Sequence, residues 1–70
     1  MTQTFQIEIT SVPDREELVA EIWVNHEQLA ELRRDAGQIR VQLYARSDGR
    51  PWDVSYSSLL GALSKAQNRL

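Results

Sequence analysis

The stretch Leu18-Val19-Ala20-Glu21-Ile22-Trp23-Val24-Asn25-His26-Glu27-Gln28-Leu29-Ala30-Glu31-Leu32-Arg33-Arg34 decides the fold of this 70-residue chain. Two readings compete for it. Leu18, Ile22, Leu29 and Leu32 fall on a helical stripe, and Gly37 would stop one long helix over residues 14–36. That helix sets Glu17 against Glu21, Glu27 against Glu31 and Glu31 against Asp35, each a like-charge pair four residues apart. Val19, Ile22, Trp23 and Val24 are β-branched or aromatic and suit a pleated surface better. A hairpin uses the same residues without these conflicts. Leu18, Ala20, Ile22 and Val24 share one face, Asn25-His26 makes the turn, and residues 28–34 return. The hairpin is the preferred reading.

Outward from it, the pattern stays with strands until the last quarter of the chain. Phe5, Ile7 and Ile9 alternate with Gln6, Glu8 and Thr10, which predicts a half-buried strand, and Val12-Pro13-Asp14 breaks it. After an Asp35-Ala36-Gly37 turn, Ile39, Val41, Leu43 and Ala45 alternate with Gln38, Arg40, Gln42, Tyr44 and Arg46. Ser47-Asp48-Gly49 reads as a tight turn, and Pro51 confines the chain to a short edge-like stretch through Val54. The period then changes. Leu59, Leu63, Ala66 and Leu70 recur at helical spacing, widened by Leu60, with Ser55 or Ser57 as cap and Lys65 and Arg69 towards the end. Gly61 inside that helix is expected to allow close approach to the sheet. The fold class is therefore α+β: a four-stranded antiparallel β-meander with one C-terminal helix packed on a face, in a single domain over residues 1–70. A βαβα, half-ferredoxin-like arrangement is the alternative.

Composition narrows the chemistry. Hydrophobic residues make up 41% and charged residues 26%, with a net charge of −2, an ordinary globular mixture. No run approaches a membrane span, and none reads as a signal peptide, so a cytoplasmic location and no membrane partner are expected. The absence of cysteine removes disulfides, thiolate metal sites and thiol nucleophiles, and a single histidine removes the usual two-histidine metal motifs. Neither a metal nor a cofactor is expected. The glycines are isolated, so no phosphate-cradling loop is present, and His26 has no neighbouring nucleophile, which makes it a turn residue rather than a base. An enzyme is not expected. At this size the core is small, and a homodimer is a common way to add burial.

Charge is polarised along the chain: residues 1–35 carry eight acids and three arginines, net −5, and residues 36–70 carry two acids and five bases, net +3. Arg40, Gln42, Tyr44 and Arg46 would share one sheet face, with Trp52 on the loop that follows. Arginines with aromatics on an open sheet are one way to bind single-stranded nucleic acid. The acidic pI of about 5.2 speaks for a solvated face paired to Glu21 or Glu31 instead. Trp23 lies opposite the Leu18–Val24 face, so either it or Ile22 looks outward, and an outward tryptophan is an interface anchor.

Asp48-Gly49-Arg50-Pro51-Trp52-Asp53, followed by Leu59, Leu60, Leu63, Ala66, Arg69 and Leu70, resembles a pattern in small uncharacterised bacterial proteins. There a β-hairpin run precedes an Asp-Gly-x-Pro-Trp turn and a final helix. The resemblance covers residues 17–70 and implies the meander-plus-helix fold, without functional residues. Val24-Asn25-His26-Glu27-Gln28 is similar to the opening of the short accessory proteins of nonribosomal peptide synthetases. Those continue with an aromatic, a serine and a Trp-Pro pair, where this chain has Leu29-Ala30-Glu31-Leu32, so nothing carries over. The functional expectation is a non-catalytic interaction module of inhibitor or adaptor type, binding a partner protein through an exposed sheet face. Its candidate contacts are Trp23, Arg40, Gln42, Tyr44, Arg46 and Trp52. Single-stranded nucleic-acid binding through the Arg40–Arg46 strand face is the alternative.

Overall fold

Residues 3–12 and 17–70 are described by the structure, a computed structural model. Among these residues four strands, β1 (Phe5–Val12), β2 (Glu17–Val24), β3 (Glu27–Asp35) and β4 (Gln38–Leu43), precede one helix, α1 (Tyr56–Asn68). They form one antiparallel sheet in chain order, β1-β2-β3-β4, as the meander reading expects. The predicted break at Pro13-Asp14 lies outside the described residues.

The disputed stretch is a hairpin because Asn25 and His26 both take positive φ, +51° and +71°. That pair of angles matches the twist of two strands joined by a two-residue turn. Asparagine tolerates the left-handed region well, and Asn25 is further held by hydrogen bonds with Thr4. Its Oδ1 accepts from the Thr4 N–H at 2.9 Å, and its own N–H donates to the Thr4 carbonyl at 3.1 Å. The β3–β4 turn repeats the geometry at Ala36 (φ +53°) and Gly37 (φ +82°).

Strand alternation sends Ala20, Ile22 and Val24 to the helix side, where all are buried, and leaves Trp23 on the other face. Leu18, on the same face as Ile22, remains half exposed near the sheet's end. On β3 strict alternation would bury only one of Leu29 and Ala30. The pairing slips there: Ile22 faces Ala30 but Trp23 faces Gln28, so Leu29 is an extra residue and both it and Ala30 are buried.

Helix α1 packs chiefly on β1 and β2. Ser55 is its cap, accepting the Ser58 N–H at 3.3 Å, and Lys65 lies in the last turn, where positive charge suits the helix dipole. Alanines do the close packing: Ala20 and Ala30 of the sheet and Ala62 and Ala66 of the helix are all buried. Gly61, expected at that contact, is instead exposed, and an added Cβ there would meet nothing within 4 Å. Ile22 and Leu32 are the largest fully buried side chains, with Phe5, Ile7, Ile9, Leu59, Leu63 and Trp52 packed around them.

Strand β4 stops at Leu43, short of the predicted Arg46. One further bond, Tyr44 N–H to the Leu29 carbonyl at 2.9 Å, closes the ladder. Beyond it the Glu27 carboxylate captures the chain, accepting from the Ser47 N–H at 3.1 Å and from the Ser47 hydroxyl. The 51–54 stretch is not a strand. Trp52 turns inward against the core and donates its Nε1–H to the Tyr44 carbonyl at 2.9 Å.

Candidate functional site

Because α1 covers one side of the sheet, the opposite side is an open face whose side chains are fixed by the register. The pairs Glu8–Glu21 and Glu21–Glu31 continue to Gln42, making a row of three carboxylates across β1, β2 and β3. The next row, two residues along, runs Thr10, Val19, Arg33 and Arg40. Like charges directly opposite each other destabilise a sheet, and this face sets both carboxylates and guanidiniums side by side. Among the described residues neither Arg33 nor Arg40 makes an ion pair.

Two hydrogen bonds partly compensate the acidic row. Trp23 Nε1–H donates to Glu21 at 3.1 Å, and the Tyr44 hydroxyl donates to Glu31 at 2.7 Å. The Tyr44 phenol is pushed above its ordinary range, first by that hydrogen bond to a carboxylate and then by desolvation and the charges of Glu31 and Glu21. Trp23 is half-buried and sits in a depression of about 320 Å³ lined by Gln6, Glu8, Glu21 and His26. An indole face flanked by carboxylates is suited to a cationic side chain or an aromatic edge. His26 reaches this rim from the hairpin tip.

Four of the six sequence candidates meet on this face: Trp23, Arg40, Gln42 and Tyr44. Arg46 and Trp52 form a separate cluster at the end of the sheet. There the Arg46 guanidinium carbon lies 5.4 Å from the Trp52 ring centroid and its Nη2 lies 3.2 Å from Asp48. Arg46 Nε stands 3.9 Å from Glu27, an ion-pair separation rather than a hydrogen bond. This cluster pins the loop after β4. Sequence reasoning left out Gln6, Glu8 and Arg33, whose place beside Trp23 and Arg40 depends on the pairing register. The spacing of Glu8, Glu21 and Glu31 along the three paired strands is the signal that carries it.

Among the described residues no group of three or more His, Asp or Glu side chains could hold a metal ion, and no helix is long and apolar enough to cross a membrane. Comparison with known protein families, with curated proteins and with solved structures yields no match to this chain.

Proposed function

We propose that the chain is a non-catalytic interaction module that binds a partner protein through the helix-free face of its sheet. The observation that carries this reading is Trp23, a partly exposed indole on a face that no other element covers among the described residues. Tryptophan is the residue most enriched among interface anchors, and a central anchor with a charged rim is the usual anatomy of such a contact. Glu8, Glu21 and Glu31 on one side and Arg33 and Arg40 on the other supply a rim of both signs, which fixes orientation more than it adds affinity. The same mixture weighs against single-stranded nucleic acid: three carboxylates stand beside two guanidiniums in the two central rows of this face, and phosphate needs net positive charge.

The test is quantitative capture from the native lysate with wild-type and Trp23→Ala bait, with and without nuclease. A stoichiometric protein retained by wild type after nuclease and lost at least tenfold with Trp23→Ala supports the reading. Capture unchanged by Trp23→Ala, or material lost on nuclease treatment, overturns it. Matching circular dichroism spectra of the two baits show that the fold is kept.

A further inference from the structure

The sheet has two edges, and they are finished differently. On β1, Arg69 reaches back from the end of the helix and donates Nη1–H to the outward Ile7 carbonyl at 3.2 Å, which caps the middle of that edge. No comparable contact reaches the outer side of β4 among the described residues. Since Tyr44 N–H points inward to Leu29, antiparallel alternation turns the N–H and C=O groups of Ile39, Val41 and Leu43 outward.

The side chains of the same three residues stand on the helix side of the sheet, where α1 does not extend over β4. Val41 is 46% and Leu43 71% exposed. Successive helical residues turn by about 100°, so Tyr56 and Leu60 lie on the flank of α1 opposite Arg69, and both are exposed. Together these four side chains leave roughly 400 Å² open, the size of a functional patch on a monomer. Natural edge strands are protected by proline, bulges, several charges or a covering element. Strand β4 has only Arg40.

We propose that a second copy of this chain docks on β4, antiparallel about a two-fold axis through Val41, so that two sheets of four strands become one of eight. This inference rests on the edge and not on the Trp23 reading. The register follows from the residues. Centring on Val41 pairs Val41 with its copy and Ile39 with the partner's Leu43, joining all three outward-facing residues in about six ladder hydrogen bonds. Centring on Arg40 would set two guanidiniums face to face, and centring on Gln42 would pair Ile39 with Ala45, beyond the end of β4.

With Val41 at the centre, Arg40 stands opposite the partner's Gln42 on the helix-free face. Gln42 is itself the neighbour of Glu31. The acidic row Glu8–Glu21–Glu31 of one copy is thus continued by the partner's Arg40 and Arg33, which relieves the like-charge crowding in both rows. The contact would bury the strand backbone together with the apolar shelf beside it.

Two variants test this by light scattering and by cross-linking. Wild type at about 100 µM, where a dimer with Kd of about 10 µM is mostly formed, is expected to show twice the 8.1 kDa chain mass. Val41→Pro removes an N–H that the β3–β4 ladder does not use, and proline is tolerated at a sheet edge, so its mass should fall to that of one chain. Because the chain has no cysteine, Val41→Cys should form an intermolecular disulfide on mild oxidation while Lys65→Cys does not, and this result decides if Val41→Pro fails to fold. A monomeric wild type, or a dimer that survives Val41→Pro in folded form, overturns the proposal. So does Val41→Cys cross-linking no faster than Lys65→Cys.

Discussion

Ala36→Gly should stabilise this protein, against the usual direction of an alanine-to-glycine change. Ala36 and Gly37 are the central residues of the β3–β4 turn, at φ +53° and +82°, and the Ala36 side chain is exposed. Consecutive positive φ values define the turn that suits a two-residue hairpin. At the first of them a Cβ crowds the carbonyl that follows, at a cost of about 1–2 kcal/mol. Glycine removes that crowding and returns about 0.4–1 kcal/mol through the larger entropy of the unfolded chain. The net gain is about 0.5–1 kcal/mol, which for a domain of this size raises Tm by roughly 2–8 °C. Ala36→Asn should gain as much, since asparagine accepts the left-handed region with less entropy to lose. Thermal melts followed by circular dichroism at one fixed protein concentration measure it, with Ala20→Gly, on a buried strand position, as the destabilised control. A fall in Tm for Ala36→Gly would refute the turn geometry, and with it the register that presents β4.

Three further outcomes follow from the same structure. Gly61→Ala should raise stability by about 0.5–1 kcal/mol in the same melts, because the position is helical, exposed and free of any atom within 4 Å of the new Cβ. Ile22→Ala should cost about 2–5 kcal/mol, a large share of what a chain of this length has, since Ile22 is fully buried in the cluster that also holds Ala62 and Ala66; urea unfolding would show it. In a Tyr56→Phe background, ultraviolet titration of Tyr44 should give a value above the ordinary phenol range, and Glu31→Gln should bring it down. The linkage has one sign: a raised folded value means that the Tyr44–Glu31 contact stabilises fully below about pH 10 and is lost as pH climbs through the folded value.

Much of the fold was legible because period-two alternation in β1, β2 and β4 is sustained and the one helical period lies at the end. Asn25-His26 and Ala36-Gly37 were readable as turns for the same reason, since each sits between two alternating runs. Leu29-Ala30 was not, because a bulge buries neighbours that strict alternation would separate. The end of β4 is not legible in its own strand, because it depends on a capture 20 residues away in sequence, Glu27 with Ser47. Gly61 departs from expectation because a helical glycine reads as a close contact until the helix's rotation about its axis is known. The candidate face was half legible: Arg40, Gln42 and Tyr44 follow from one strand, whereas the Glu8–Glu21–Glu31 row exists only once three strands are paired.

The claim that the helix-free face is the contact face is tested most directly by photo-cross-linking in the producing cell. A photoreactive residue at Gln6, beside Trp23 on that face, is compared with one at Lys65 on the exposed side of α1, away from the Tyr56–Leu60 flank. The account predicts a discrete adduct with another protein from Gln6 that disappears in a Trp23→Ala background, and none from Lys65. An adduct from Lys65 alone, or one from Gln6 that persists without Trp23, would contradict it.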